Sequence, residues 1–215
     1  MKEEDLGHLR KTYLKGSLGP KDIKGNPLSF FKEWFKQAEQ SPEIEEANAM
    51  TLSTLGLDNF PKGRVVLLKS LTEEGLVFFT NYQSEKALAI EDHSKVGISF
   101  FWPILERQVI IKGKASKLEA KASDSYFKSR PKGSQIGAIV SDQSKVITDR
   151  SIIEAKLEAL EIEYTNKNIE RPDDWGGYVV KPISIEFWQG RPNRLHDRIR
   201  CQLQGDFWNI ERLAP

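Results

Sequence analysis

Arg194-Leu195-His196-Asp197-Arg198 is the densest group of chemistry-bearing residues in the sequence. On a strand, side chains alternate between faces, so Arg194, His196 and Arg198 point one way while Leu195, Asp197 and Ile199 point the other. Three potential cations on one face repel one another unless an anion lies among them. A solvated polar face is the alternative. Phe187-Trp188, just upstream, adds an aromatic pair able to wall a planar ligand.

Two further sets carry similar chemistry. Arg64 and Lys69 bracket the apolar run Val65 to Leu68. Five positions apart, they lie on opposite faces of a regular strand, so they serve one pocket only if the strand bulges or if they touch different parts of a ligand. They also read as ordinary gatekeepers of an edge strand. Tyr126 and Arg130, four apart at the end of a helix, share a face, and Ser134 follows a Pro-Lys-Gly turn whose amides can join an anion site. Ser134-Gln135 and Gln143-Ser144 add neutral donors and acceptors.

Other chemistries lack their residues. No GxGxxG or Walker loop is present, so any phosphate must be held by side chains. His8, His93 and His196 are scattered, without an HExxH pair, and no GxSxG elbow occurs, which speaks against zinc or serine-triad hydrolysis. The single cysteine, Cys201, rules out an intrachain disulfide and a thiolate metal site, and fits a reducing cytoplasm. The balance of 32 Lys+Arg against 31 Asp+Glu disfavours nucleic acid as the main partner, yet leaves room for a local basic pocket. Met1 to Gly16 mixes acidic and basic residues without an apolar signal core, and Val96 to Leu105 is too short to span a bilayer, so neither secretion nor a membrane is expected.

The 215 residues, 39% hydrophobic, suffice for one large domain with appendages. Residues 1–26, polar and rich in Gly and Lys, read as a flexible arm, and residues 27–215 as the folded domain. From Pro27, the spacing of Leu28, Phe31, Trp34, Phe35 and Ala38 predicts an amphipathic helix ending before Ser41-Pro42. Period-two patterns then predict strands near Ala49–Leu55, Val65–Leu68, Leu76–Thr80, Val96–Trp102 and Arg107–Leu118, the last broken by Gly113. Helices are expected at Ser84–Asp92, Ala120–Lys128 and Asp149–Tyr164, and strands at Gly177–Trp188, Arg194–Gln202 and Phe207–Leu213. About eight strands with barrel-like turn spacing, rather than βαβ alternation, give a mainly β fold with peripheral helices (α+β).

Over nearly its whole length the chain resembles the pyridoxine (pyridoxamine) 5′-phosphate oxidase family. The matching strings run from LRKTY at Leu9 through RVVLLK at Arg64, ERQVIIKGKA at Glu106, YFKSRPKGSQIGA at Tyr126, WGGYVV at Trp175, IEFWQG at Ile185 and RLHDR at Arg194 to the terminal IERLAP. The resemblance implies a homodimeric FMN-binding split β-barrel with the cofactor in a cleft at the dimer interface. Positions matching the FMN site are Arg64, Val65, Val66, Leu67, Leu68, Lys69, Phe79, Thr80, Lys86, Gln108, Gln143, Ser144, Trp188 and Arg198, with Tyr82 in the phosphate-side turn. The substrate phosphate falls to Lys69, Tyr126, Arg130 and Ser134. Arg194 and His196, the implied catalytic pair, cover the pyridine ring, and Arg10 and Tyr13 match a segment that closes over the site.

The implied reaction is oxidation of pyridoxamine or pyridoxine 5′-phosphate at C4′ by FMN, with reoxidation by O2 to give H2O2. The flavin carries the redox work, which explains the lack of an obvious nucleophile. One departure stands out: Ser84-Glu85-Lys86 puts a carboxylate where the family often has a phosphate-binding arginine. Glu85 is expected either to turn to solvent or to order a neighbouring cation such as Lys86. A non-catalytic FMN or pyridoxal phosphate carrier on the same fold is the alternative, and a flavin reductase-like barrel leaves Tyr126, Arg130 and Ser134 unexplained.

Overall fold

The computed structural model describes residues 5–215, so the first four residues of the expected arm lie outside the described residues. The described chain forms two compact units, the first made of residues 5–48, 99–111 and 183–215, the second of residues 49–98 and 112–182. Hydrogen bonding orders the strands β2-β1-β5-β6-β7-β4-β3, with β8 on β7 and β9 on β8.

In the second unit, β1 (Ala49–Leu55) alternates as its sequence demands, with Met50, Leu52 and Thr54 buried, and pairs antiparallel with β2 (Pro61–Leu67). The short β3 (Ser70–Leu71) raises the described strands to nine; two residues are too few for periodicity to reveal. β4 (Leu76–Asn81) pairs with the first half of β7 (Trp175–Gln189), and helix α2 (Glu85–Asp92) follows it. β5 (Lys95–Trp102) and β6 (Arg107–Lys117) run through both units. The expected break at Gly113 does not occur. A Cβ there would come within 2.6 Å of the Lys181 carbonyl oxygen, so this glycine permits a close backbone approach inside a continuous strand.

Three helices complete the second unit: α3 (Ala120–Ser129), α4 (Lys132–Val140) and α5 (Ser151–Glu163). Helix α4 corrects the expectation of a turn around Ser134. Pro131 ends α3, then serves as the N-cap of α4, so Ser134 sits in its first turn. Ile136 and Val140 project from α4 at helical spacing onto Phe127, Ile169 and Trp175, with Ile153, Leu157 and Leu160 of α5 packed against this cluster.

The first unit is built around α1 (Pro27–Glu39), started by Asn26, whose side chain accepts the Leu28 N–H at 2.9 Å, and by Pro27 at N1. Its apolar stripe carries Phe31 to 5.1 Å from Phe100 and Trp34 to 5.4 Å from Phe187 between ring centres. Burying aromatic rings of this size contributes about 2–3 kcal/mol each. The second half of β7 pairs with β8 (Asp197–Gln204), which turns through Gly205 into β9 (Phe207–Leu213).

The expected strand over Arg194–Gln202 begins only at Asp197. Pro192–Arg194 is a 3-10 turn, with Asn193 at φ 57° and Arg194 at φ 61°. Left-handed backbone cannot continue a β ladder, so Arg194 and His196 are not placed by strand alternation.

Candidate functional site

The second unit holds a cavity of about 450 Å³. Of the residues matched to the FMN site, Val65, Val66, Leu67, Lys69, Phe79, Thr80, Lys86 and Gln143 line it. Of those matched to the substrate phosphate, Lys69, Tyr126, Arg130 and Ser134 do so. Because β2 ends the strand order, its outer edge presents main-chain donors and acceptors beside Val65 to Leu67. Leu68 instead is buried, 6% exposed.

One end of this cavity is organised around Lys86. Its ammonium donates to Gln143 Oε1 (3.0 Å), Thr80 Oγ1 (3.2 Å) and Ser84 Oγ (3.3 Å). Burial and the nearby Arg64 guanidinium together push the Lys86 pKa down to about 8, partly offset by Glu85. Arg64 is itself depressed by burial and is held by Thr54 Oγ1 (2.8 Å) and the Leu52 carbonyl (3.2 Å). Two mutually repelling, half-buried cations gain from a nearby anion, which relieves both. Glu85 does not fill that role: both its oxygens bind Lys62 Nζ, at 2.6 and 2.8 Å, on the exposed side of α2. Thus the departure at position 85 turns outward, as one of the two expectations held.

The other end carries the second anion set. Arg130 lies with its guanidinium carbon 4.6 Å from the Trp175 ring centre, and Tyr126 stacks on Phe79 at 3.9 Å. The buried Arg130 Nη1 has no hydrogen-bond partner among the described residues. Such an orphan donor beside the exposed Lys69 and Ser134 suits an incoming phosphate, whose oxygens supply the missing acceptor. Trp175, Asn81 and Ser141 also line the cavity and were missed; of these, only Trp175 had a sequence signal, in its WGGYVV string.

The first unit has its own cavity, about 820 Å³, lined by Arg10, Tyr13, Arg194 and His196 together with Lys11 and Arg191. Tyr13 meets Trp188 (5.6 Å) and His196 (5.4 Å) edge-on, and Trp188 lies 4.6 Å from His196. Gly190 makes this seat possible, since a Cβ there would fall 2.6 Å from Tyr13 Cδ1. The Arg191 N–H donates to His196 Nδ1 at 3.1 Å, so the neutral ring carries its proton on Nε2, free to donate. Burial and the adjacent Arg194 hold the His196 pKa below its usual value.

Not every matched residue reaches a cavity. Gln108 donates to Ser99 Oγ (3.2 Å), and Arg198, opposite Trp188 in the ladder, binds Glu186 Oε1 (2.7 Å) and the Ala214 carbonyl (2.9 Å). Ser144, at φ 72°, lines a separate pocket with Glu85 and Leu57, and Tyr82 donates to the Gly177 carbonyl.

Residues 37–164 match the sequence model of pyridoxamine 5′-phosphate oxidase, and residues 175–215 match that of the pyridoxine 5′-phosphate oxidase C-terminal dimerisation region. A pyridoxine/pyridoxamine 5′-phosphate oxidase of Flavobacterium psychrophilum is 56% identical over 213 residues, covering 99% of this chain and all of the relative. Another of the same name, from Cyanothece, is 50% identical over 98% of each chain. Among solved structures, PhzG from Burkholderia lata, in complex with tetrahydrophenazine-1-carboxylic acid, superposes with a TM-score of 0.86 at 26% identity over 91% of this chain and 96% of its own. An FMN-binding protein from Nostoc punctiforme shares the fold, with a TM-score of 0.70 at 14% identity over 90% of this chain and all of its own. The mostly antiparallel sheet with flanking helices is accordingly a split β-barrel, and the chain belongs to the pyridoxamine 5′-phosphate oxidase family.

Proposed function

We propose that the chain is an FMN-dependent homodimeric oxidase that converts pyridoxine 5′-phosphate and pyridoxamine 5′-phosphate to pyridoxal 5′-phosphate. Pyridoxine phosphate plus O2 gives pyridoxal phosphate plus H2O2; the amine additionally consumes water and releases ammonia. The observation that carries this reading is one cavity lined by two sets of anion-recognising groups, Lys86 with Thr80 and Gln143, and Lys69 with Arg130, Tyr126 and Ser134, with Arg64 outside the lining but near enough to Lys86 to depress its pKa, in a chain without a nucleophile motif. Two phosphates, one of cofactor and one of substrate, match that pair.

Bound FMN supplies the two-electron acceptor for the C4′ carbon and passes the electrons to O2. The protein's part is to bind and orient. Lys86, Thr80 and Gln143, with Arg64 nearby, hold the FMN phosphate, and the β2 edge from Val65 to Leu67 meets the flavin. Lys69, Tyr126, Arg130 and Ser134 fix the substrate phosphate. Charge-assisted contacts at about 1.5–3 kcal/mol each make a few of them a sufficient source of affinity. Arg194 and the His196 Nε2–H cover the pyridine ring, and Arg10 and Tyr13 close over it. We assign residues 1–26 as the arm and 27–215 as the FMN-binding domain, in the cytoplasm; the buried, unpaired Cys201 supports that compartment, and among the described residues no helix is long and apolar enough to cross a membrane.

The protein is expected to purify yellow or to take up added FMN, to be bleached by pyridoxamine 5′-phosphate without air, and to regain its colour with air. A protein that stays colourless with added FMN overturns the reading. Bleaching without product leaves the carrier alternative.

FMN affinity should also depend on pH through Lys86. With its folded pKa at about 8, below the ordinary 10.5, the unfolded chain holds a proton that the folded chain sheds between those values. In the apo protein, stability from this group therefore rises with pH across that window, whereas a bound phosphate draws the proton back onto Lys86. FMN binding is expected to weaken from pH 7 to 9.5, by at most about tenfold per unit above 8. Isothermal titration in two buffers at pH 8.5 should show proton uptake on binding, which Lys86→Met abolishes. An affinity that stays flat across this range contradicts the assignment.

A further inference from the structure

Glu106 is a buried carboxylate that the functional assignments above do not use. It sits in the turn between β5 and β6 at φ 55°, a left-handed conformation costly for a residue with a Cβ, and is only 2% exposed. Its Oε2 accepts the Leu14 N–H at 2.8 Å and the Lys15 N–H at 2.9 Å, and its Oε1 lies 3.2 Å from Lys11 Nζ. All three donors come from one short stretch of the N-terminal segment. Its main-chain oxygen faces elsewhere and accepts the Gly190 N–H (2.8 Å) and Gln189 Nε2 (3.2 Å), where the turn bearing Arg194 and His196 begins.

We propose that Glu106 is a positioning residue that latches Lys11–Lys15 down so that Tyr13 is held against Trp188 and His196. The assignment rests on the oxidase reading above, and names what holds the segment in place. Tyr13 lies between the latched residues, and its ring fills the space beside Gly190, against the rings of Trp188 and His196. Thus a single residue fixes both walls of the cavity, one through its side chain and the other through its main chain.

The energetics make the latch specific. A buried carboxylate without partners is strongly disfavoured, so leaving the Lys11–Lys15 donors would require Glu106 to be solvated or neutralised. Burial alone raises the carboxyl pKa, but the Lys15 N–H, the Lys11 ammonium and the Leu14 N–H outweigh it and hold it below the usual range. Docking of the segment and the charge on Glu106 therefore stabilise each other. An amide in its place can keep its one oxygen on the Leu14 and Lys15 N–H groups, but it then turns an NH2 donor toward the Lys11 ammonium and loses both the ion pair and the negative charge.

The test uses the full-length, FMN-loaded protein as wild type, Glu106→Gln, Tyr13→Ala and the double variant. Trypsin cleavage after Lys11 and Lys15 is expected to be about tenfold faster in Glu106→Gln, because local opening becomes easier. KM for pyridoxamine 5′-phosphate is expected to rise about tenfold, with kcat within about twofold, since a ground-state closure is lost. In the Tyr13→Ala background, Glu106→Gln is expected to add less than about twofold to KM, because both act through the same ring. Unchanged cleavage, or KM effects that multiply in the double variant, overturns the latch. Should Glu106→Gln fail to fold, Lys11→Met removes one of the three contacts, and cleavage after Lys15, the site it leaves intact, and KM are each expected to rise about threefold; no change in either also overturns the latch. A wild type that does not oxidise the substrate defeats the oxidase reading, while the cleavage rates still decide the latch.

Discussion

Arg194→Ala is expected to lower kcat/KM for pyridoxamine 5′-phosphate by about 10²-fold or more, and His196→Ala by a comparable factor, with FMN retained in both. The two side chains line one cavity, and each has a defined posture. Arg194 stands on left-handed backbone after Pro192, which aims an exposed guanidinium from a turn that a strand would not permit. His196 is oriented by the Arg191 N–H, which fills Nδ1 and leaves Nε2–H as the donor. Alanine is the informative replacement at Arg194, because glycine would also relieve the backbone and mix two effects. The pH profile adds an independent check. Since burial and Arg194 hold the His196 pKa below 6.5, the unfolded chain takes up a proton first as pH falls, and stability from this group declines only below 6.5. Activity that needs the neutral Nε2–H tautomer should have its acid limb below 6.5 as well. Steady-state kinetics with FMN content read from absorbance decides the matter; wild-type kcat/KM in either variant removes that residue from the ring-covering role.

How far the sequence carried this site differs from residue to residue, for physical reasons. Helix α1 and strand β1 were legible to within a residue because their apolar spacing is long, regular and set by one buried face. Arg194 and His196 were rightly grouped but for the wrong reason: alternation assumed a strand, and Pro192 with two positive-φ residues made a turn instead. Helix α4 escaped because Pro131 and Gly133 read as a break, although proline caps a helix start as readily as it ends the previous one. At Glu85 the sequence left two postures open, and only the folded chain could show that Lys62, 23 positions earlier, takes its charge. Glu106 lay unremarked inside a matching string. Its partners are more than 90 positions away in sequence, and no local pattern encodes a contact of that kind.

Arg130→Met is expected to raise KM for the phosphorylated substrate by about 10²-fold, yet to raise the thermal midpoint of the ligand-free protein. The first half follows from losing two charge-assisted hydrogen bonds, at about 1.5–3 kcal/mol each, only part of which Lys69 and Ser134 can replace. The second follows from Arg130 Nη1, a buried donor without a partner among the described residues, whose desolvation costs about 1–3 kcal/mol. Methionine keeps an apolar body against Trp175 while removing that group; the lost cation–π contact offsets about 1 kcal/mol. At roughly 2–4 °C per kcal/mol for a chain of this size, the net rise should be a few degrees at most. Inorganic phosphate supplies a readout free of turnover: it should stabilise the wild type by binding the folded state and stabilise Arg130→Met much less. Lys69→Met serves as the comparison, because Lys69 is exposed, so it should weaken phosphate binding without any gain in the thermal midpoint. If Arg130 served mainly to pack on Trp175, its replacement would instead lower the midpoint and leave phosphate stabilisation intact, and the substrate-phosphate role would pass from it to Lys69 and Ser134.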